Sequence, residues 1–149
     1  MRAVLHRHLE AESRHDAEAA AATYCEDGYY EQHALGLRFE GREAIGLQYA
    51  ASYQAIADMH AEYHAEIFNG ESVAQYGTIS GTVEDAFVGV PASGRVEFPF
   101  VAIIRFRDGL MAGEEVYYDL DAVCSQLGID PAAVLANADG FKGTLAKAI

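Results

Sequence analysis

No stretch of about 18 consecutive apolar residues occurs in this chain, so no membrane-spanning helix is expected. The first eight residues, Met1 to His8, have no long apolar core and soon turn acidic, so no signal peptide is expected either. Basic residues are scarce: 10 Lys and Arg stand against 23 Asp and Glu, a net charge of -13. A surface of that sign repels phosphate backbones, which argues against nucleic acid as a partner. The acidity itself serves solubility. Cysteine occurs only twice, at Cys25 and Cys124, far apart in the chain and without the spacing of a metal site. Two buried free thiols in a reducing cytoplasm is the simplest reading, and a disulfide is the alternative. There is no linker, internal repeat or low-complexity segment, so the 149 residues read as a single domain.

Residues 2–26 contain neither Gly nor Pro and are rich in Ala, Glu, Arg and His, which predicts helix. Asp16 is placed to cap a second short helix after a bend at Ser13 to Asp16. Tyr29 to His33 reads as a short strand, and Leu35 to Glu40 as a loop or second strand. Ile45, Tyr49, Ser52, Tyr53 and Ile56 recur at helical spacing, which predicts a helix over about residues 42–57 with both tyrosines on its apolar face. Alternation from His60 to Phe68 predicts a strand, Asn69-Gly70 a hairpin turn and Glu71 to Val83 the return strand. Arg95 to Arg107 and Leu110 to Asp119 read as two long strands joined at Asp108-Gly109. Asp121 to Leu127 reads as a short helix, and Asp130-Pro131 as the capped start of another. Residues 138–149 are expected to be a tail that is loose or used between subunits. Helices first and strands later predict an α+β fold, a curved antiparallel sheet wrapped by helices around a cone-shaped cavity.

Asp119 ends an apolar, aromatic strand, which is a costly place for a charge unless the group is paired or catalytic. Glu115, Tyr117 and Asp119 share one strand face by their spacing of two. A tyrosine beside a carboxylate could donate to a developing enolate. The structural alternative is that Asp119 caps the following helix or pairs with Arg105. His33, after the tyrosine-rich first strand, is a second acid/base candidate or a strand-end histidine. Tyr29, Tyr49, Tyr53 and Arg105 are candidate substrate contacts, with plain core packing the alternative for the two helical tyrosines. His60 and His64 lie about 13 Å apart along a strand, too far to share one ion, so no metal site is expected.

Five segments occur in order: Tyr24-Cys25-Glu26-Asp27, Phe39 to Ile45, Gly89 to Arg95, Arg105 to Gly109, and Tyr118-Asp119 leading to Gln126-Leu127-Gly128. Together they resemble the nuclear transport factor 2-like superfamily, and within it the SnoaL-like polyketide cyclase branch. The resemblance covers nearly the whole chain and is more specific for fold than for reaction. It implies a small cofactor-free enzyme that closes a ring by intramolecular aldol chemistry on an apolar, oxygenated substrate. It makes Asp119 the general acid/base and the protein a homodimer; the residue reading adds Tyr117 and His33 as assisting groups, and the free thiols a cytoplasmic location. The alternatives are a dehydratase, an epoxide hydrolase or a non-catalytic binding protein. Val83 stands where the epoxide hydrolases of this superfamily carry an arginine, and Gln32 where the ketosteroid isomerases carry their base, which argues against both chemistries.

Overall fold

The structure, a computed structural model, describes residues 1–147. Helix α1 (Arg2–Ser13) buries Val4, Leu5, His8 and Ala11 along one side. It is followed by α2 (Ala17–Ala22), whose first turn is capped by Asp16, which accepts from the Ala19 amide at 2.9 Å. Strand β1 (Tyr24–Gln32) leads through a 3-10 turn (His33–Leu35) into β2 (Leu37–Glu40). Helix α3 (Arg42–Ala55) buries Ile45, Gln48, Tyr49 and Tyr53, the face that its periodicity predicts. The long strands follow: β3 (His60–Asn69), β4 (Ser72–Val83), β7 (Gly94–Arg107) and β8 (Leu110–Tyr118). A minimal hairpin of β5 (Ala86–Phe87) and β6 (Val90–Pro91) separates β4 from β7. The chain closes with α4 (Leu120–Leu127) and α5 (Pro131–Ala146).

The six main strands form one sheet in the order β2-β1-β8-β7-β4-β3. All neighbours are antiparallel except β1 and β8, which run parallel. That parallel pair departs from the all-antiparallel meander that the sequence suggests. It arises because α3 and the β3–β4–β7 meander lie between the two strands in the chain. The architecture is the expected α+β one, with helices over one face of the sheet. The core joins Tyr24, Ile45, Val73, Val83, Val96, Ile104, Met111 and Val123, all essentially solvent-free.

Two details set the site. The turn between β7 and β8 has Asp108 and Gly109 both at positive φ (52° and 78°), as a two-residue hairpin loop requires. Past this turn the register slips by one. Arg107 pairs with Leu110 and Phe106 with Met111, but Arg105 pairs with Gly113 and Ile104 with Glu114. The bulge at Ala112 inverts which side chains of β8 face the helices. Most of the expected tail is helical: α5 runs to Ala146, capped at its start by Asp130 and with Val134 and Ala138 buried. Residues 148 and 149 of that segment lie outside the described residues.

Candidate functional site

Between the sheet and the helices lies a cavity of about 530 Å³. Aromatic side chains form much of its wall: Tyr30, Tyr49, Tyr53, Tyr63, Phe98 and Phe100. Phe87, Val88 and Gly89 of the small hairpin and Phe141 and Leu145 of α5 also line it. Asn137 ties those two parts together by donating to the Val88 carbonyl at 2.6 Å. A cavity of this size, apolar with a few converging polar groups, is the usual form of a small-molecule site.

The polar groups converge at one end. Glu12 of α1 and Glu114 of β8 both line the cavity, and His8 lies between them, fully buried. His8 Nε2 is 3.5 Å from Glu12 Oε1 and 3.7 Å from Glu114 Oε2. Tyr24 and Tyr49 both donate to Glu114 Oε2, at 2.5 and 3.0 Å, and Tyr63 donates to Glu12 Oε2 at 3.0 Å. The other oxygen of Glu114 makes no hydrogen bond among the described residues.

These surroundings move the three groups in different directions. Burial raises the Glu114 carboxyl, and Glu12 nearby adds to the rise against the opposing pull of His8. Burial also works to raise Glu12, but the His8 ring outweighs it and holds that carboxyl below its ordinary value. Burial works to lower His8, yet Glu12 and then Glu114 overcome it and the imidazole is raised. Two carboxyls pushed in opposite directions around a histidine are an arrangement that can serve as acid and base. Neighbouring phenols stay protonated, because burial pushes Tyr24, Tyr30, Tyr49 and Tyr63 well above their ordinary range. Among the described residues, no three His, Cys, Asp or Glu side chains are arranged to hold a metal ion.

The residues singled out from sequence divide between two places. Tyr49 and Tyr53 line the cavity, as the helical stripe of α3 requires. Asp119 does not; it is the N-cap of α4, where its carboxylate accepts from the Ala122 amide at 3.1 Å. Tyr117 is exposed on the opposite face of the sheet, stacked on His33 with ring centroids 4.2 Å apart. Tyr29 and Arg105 meet on that same outer face, where both bond Glu115 Oε1, at 2.8 and 3.2 Å. The strand face expected to carry Glu115, Tyr117 and Asp119 is thus the outer one for Glu115 and Tyr117, and Asp119 lies past the end of β8 as a helix cap. The bulge at Ala112 turns Glu114, Val116 and Tyr118 inward instead.

His8, Glu12 and Glu114 were not among the candidates from sequence. Their signal is faint: His8 and Glu12 are four apart on a helix, and so lie on one face. Glu114 emerges only once the bulge is known.

Comparison with known proteins fits this architecture. The profile of the SnoaL-like domain matches residues 5–114, well over half of the chain. No curated protein matches the sequence. Among solved structures, the chain is similar to a hypothetical protein of ketosteroid isomerase-like fold from Catenulispora acidiphila, determined in complex with trimethylamine. The identity is 22% over 87% of this chain and 95% of that one, with a TM-score of 0.75. A candidate SnoaL-like polyketide cyclase from Jannaschia shares 17% identity over 86% of this chain and 91% of its own, with a TM-score of 0.76. AclR, a candidate hydroxylase from Streptomyces galilaeus, shares 19% over 85% and 94%, with a TM-score of 0.71. At these identities the structures speak for the fold, and the profile match speaks for the family. The chain is a member of the SnoaL-like domain family, built on the nuclear transport factor 2-like fold.

Proposed function

We propose that this protein is an acid/base catalyst acting on a small, apolar, oxygenated substrate held in the cavity, with ring closure of the polyketide cyclase type as its reaction. The observation that carries the reading is His8 Nε2 facing Glu12 and Glu114 at the polar end of an aromatic cavity. Glu12, the carboxyl held low, takes a proton from the activated carbon of the substrate. The carbanion attacks a ketone carbon and forms the new carbon–carbon bond. Glu114, the carboxyl held high, gives its proton to the ketone oxygen. His8 then carries a proton from Glu12 to Glu114, which restores both groups. Two neighbours of similar fold being candidate polyketide cyclases from Jannaschia and Shewanella denitrificans supports this choice of chemistry.

The test is turnover of aromatic polyketone substrates by the wild type, His8→Gln and Glu114→Gln. Loss of ring-closed product by a factor of about 10²–10⁴ in either variant is expected for a positioned acid/base group. Unchanged turnover in both would overturn the reading.

The reading extends to a cytoplasmic homodimer. Cys25 and Cys124 are buried free thiols, which suits a reducing compartment. No helix among the described residues is long and apolar enough to cross a membrane. A second copy would cover the outer sheet face, where Ile67, Tyr76, Val101 and Tyr117 are exposed.

A further inference from the structure

Tyr53 holds the only buried side-chain polar atom without a hydrogen-bond partner among the described residues, its hydroxyl oxygen. The residue is 8% exposed and lines the cavity. Its ring is clamped. It stacks on His15 with centroids 4.7 Å apart, and on Tyr49 at 6.0 Å. His15 is itself anchored, with Nε2 2.8 Å from the Met59 carbonyl. Leaving a buried hydroxyl unpaired is unfavourable. Burial raises its pKa, so it remains an O–H donor.

Most of the nearby hydroxyls are already in use. Tyr24 and Tyr49 donate to Glu114, Tyr63 to Glu12, and Tyr118 to Gln32. Tyr30, whose ring lies 5.4 Å from Tyr49, is a second hydroxyl with no hydrogen bond among the described residues. The charge of the wall is one-sided. Among the described residues no Lys or Arg lines the cavity and its only basic side chains are His15 and His60, while Glu12 and Glu114 lie within it and Glu84 and Asp85 also border it. An anion brought in would lose its water and meet the carboxyls of Glu12 and Glu114 with no Lys or Arg among the described residues to offset them.

We infer that the cavity selects an uncharged ketone on an apolar body, that the carbonyl oxygen of this ketone accepts the Tyr53 hydroxyl, and that the corresponding carboxylate is turned away. The inference rests on the reading of this cavity as the functional site and adds its ligand class. A donor fixed on the carbonyl oxygen also favours the negative charge that grows there as a neighbouring carbon loses its proton.

Three probes of one shape test it by fluorescence titration: 2-acetylnaphthalene, 2-isopropenylnaphthalene and 2-naphthoate. The ketone is expected to bind about tenfold more tightly than the hydrocarbon, and the carboxylate at least about tenfold more weakly than the ketone. Tyr53→Phe should bring the ketone down to the hydrocarbon and leave the hydrocarbon unchanged. That variant loses only an unpaired hydroxyl, so it should melt at or above the wild-type temperature. Naphthoate binding as tightly as the ketone, or ketone affinity indifferent to Tyr53→Phe, would overturn the inference. Tyr53-dependent ketone binding in a protein that closes no ring would remove the acid/base reading and leave this one standing. Ring closure that needs His8 and Glu114 but not Tyr53 would do the reverse.

Discussion

His8 Nδ1 lies 2.9 Å from the Thr23 hydroxyl, and that hydroxyl gives its own proton to the Ala20 carbonyl at 2.6 Å. Thr23 can therefore only accept from the ring, so His8 carries a proton on Nδ1 and turns Nε2 to the two carboxyls. Nitrogen-15 NMR of the ring should show Nδ1 protonated across the neutral range. Thr23→Val leaves that buried donor unpaired, at a cost of about 1–3 kcal/mol. The same change should shift the ring toward the other tautomer. Thr23→Ser should restore both stability and tautomer, and failure of that rescue would remove Thr23 as the positioning residue.

The opposed shifts of the triad predict how stability depends on pH. Glu114 is raised in the folded protein, so from the ordinary carboxyl range upward the native state holds a proton that the unfolded state releases. Stability is then lost as pH rises through the folded value. His8, raised, stabilises the fold below its ordinary pKa and ceases to do so as pH rises through its folded value. Glu12, lowered, stabilises above the ordinary carboxyl pKa, and that contribution is lost as pH falls through its folded value. Glu114→Gln removes the first effect and weakens the second. The stability of this variant relative to wild type should therefore increase from acid to alkaline pH. Denaturant melts at several pH values read this directly, and a flat difference would contradict the shift of Glu114.

Asp119 tests the separation of cap from cavity. As the N-cap of α4 it satisfies the Ala122 amide. Asp119→Ala should cost about 0.5–2 kcal/mol, the usual worth of such a cap. Binding of 2-acetylnaphthalene should be unaffected. A variant of normal stability that no longer binds the ketone would return Asp119 to the site.

Much of the fold was legible because it is written in short-range chemistry. Asp16 and Asp130 cap the helices that they precede, Gly70 sits at positive φ in its turn, and the Ile45–Tyr49–Tyr53 stripe is buried. The site was less legible, first because of strand register. Carried on from the Asp108-Gly109 turn without interruption, the β7–β8 pairing would set Phe100 opposite Tyr117 and place the odd-numbered residues of β8 inside. The structure sets Phe100 opposite Tyr118. One extra residue moves every side chain beyond it to the other face, and alternation in β8 alone does not reveal it. His8 was obscured differently, since a histidine in a helix rich in Glu and Arg reads as surface until a strand brings Glu114 against it.

Gly113 follows that bulge and has a steric task. A Cβ there would lie 2.1 Å from the ring of Tyr29. Tyr29 holds Glu115 on the outer face and carries Arg38 over its ring at 3.8 Å. Gly113→Ala should therefore push the ring aside and destabilise the protein by about 1–3 kcal/mol, as overpacking does. Combining it with Tyr29→Ala should recover most of the loss caused by the alanine, which a double-mutant cycle measures. Additive losses would mean that the clash lies elsewhere.

The outer face gives the last prediction. Val101 and Tyr117 are register partners on adjacent strands, and Tyr76 pairs with Val101 on the other side, so three exposed apolar side chains run across β4, β7 and β8. Ile67 on β3, 70% exposed, extends this surface. Such an apolar face is costly to leave in water, and pairing with a second copy would bury it symmetrically. Sedimentation velocity should find a dimer for the wild type. Val101→Glu places a charge between Tyr76 and Tyr117 on the face and should give a monomer of unchanged fold. Wild-type protein that sediments as a monomer at high concentration would show that the face serves another purpose, and Val101→Glu would then alter neither mass nor ketone binding.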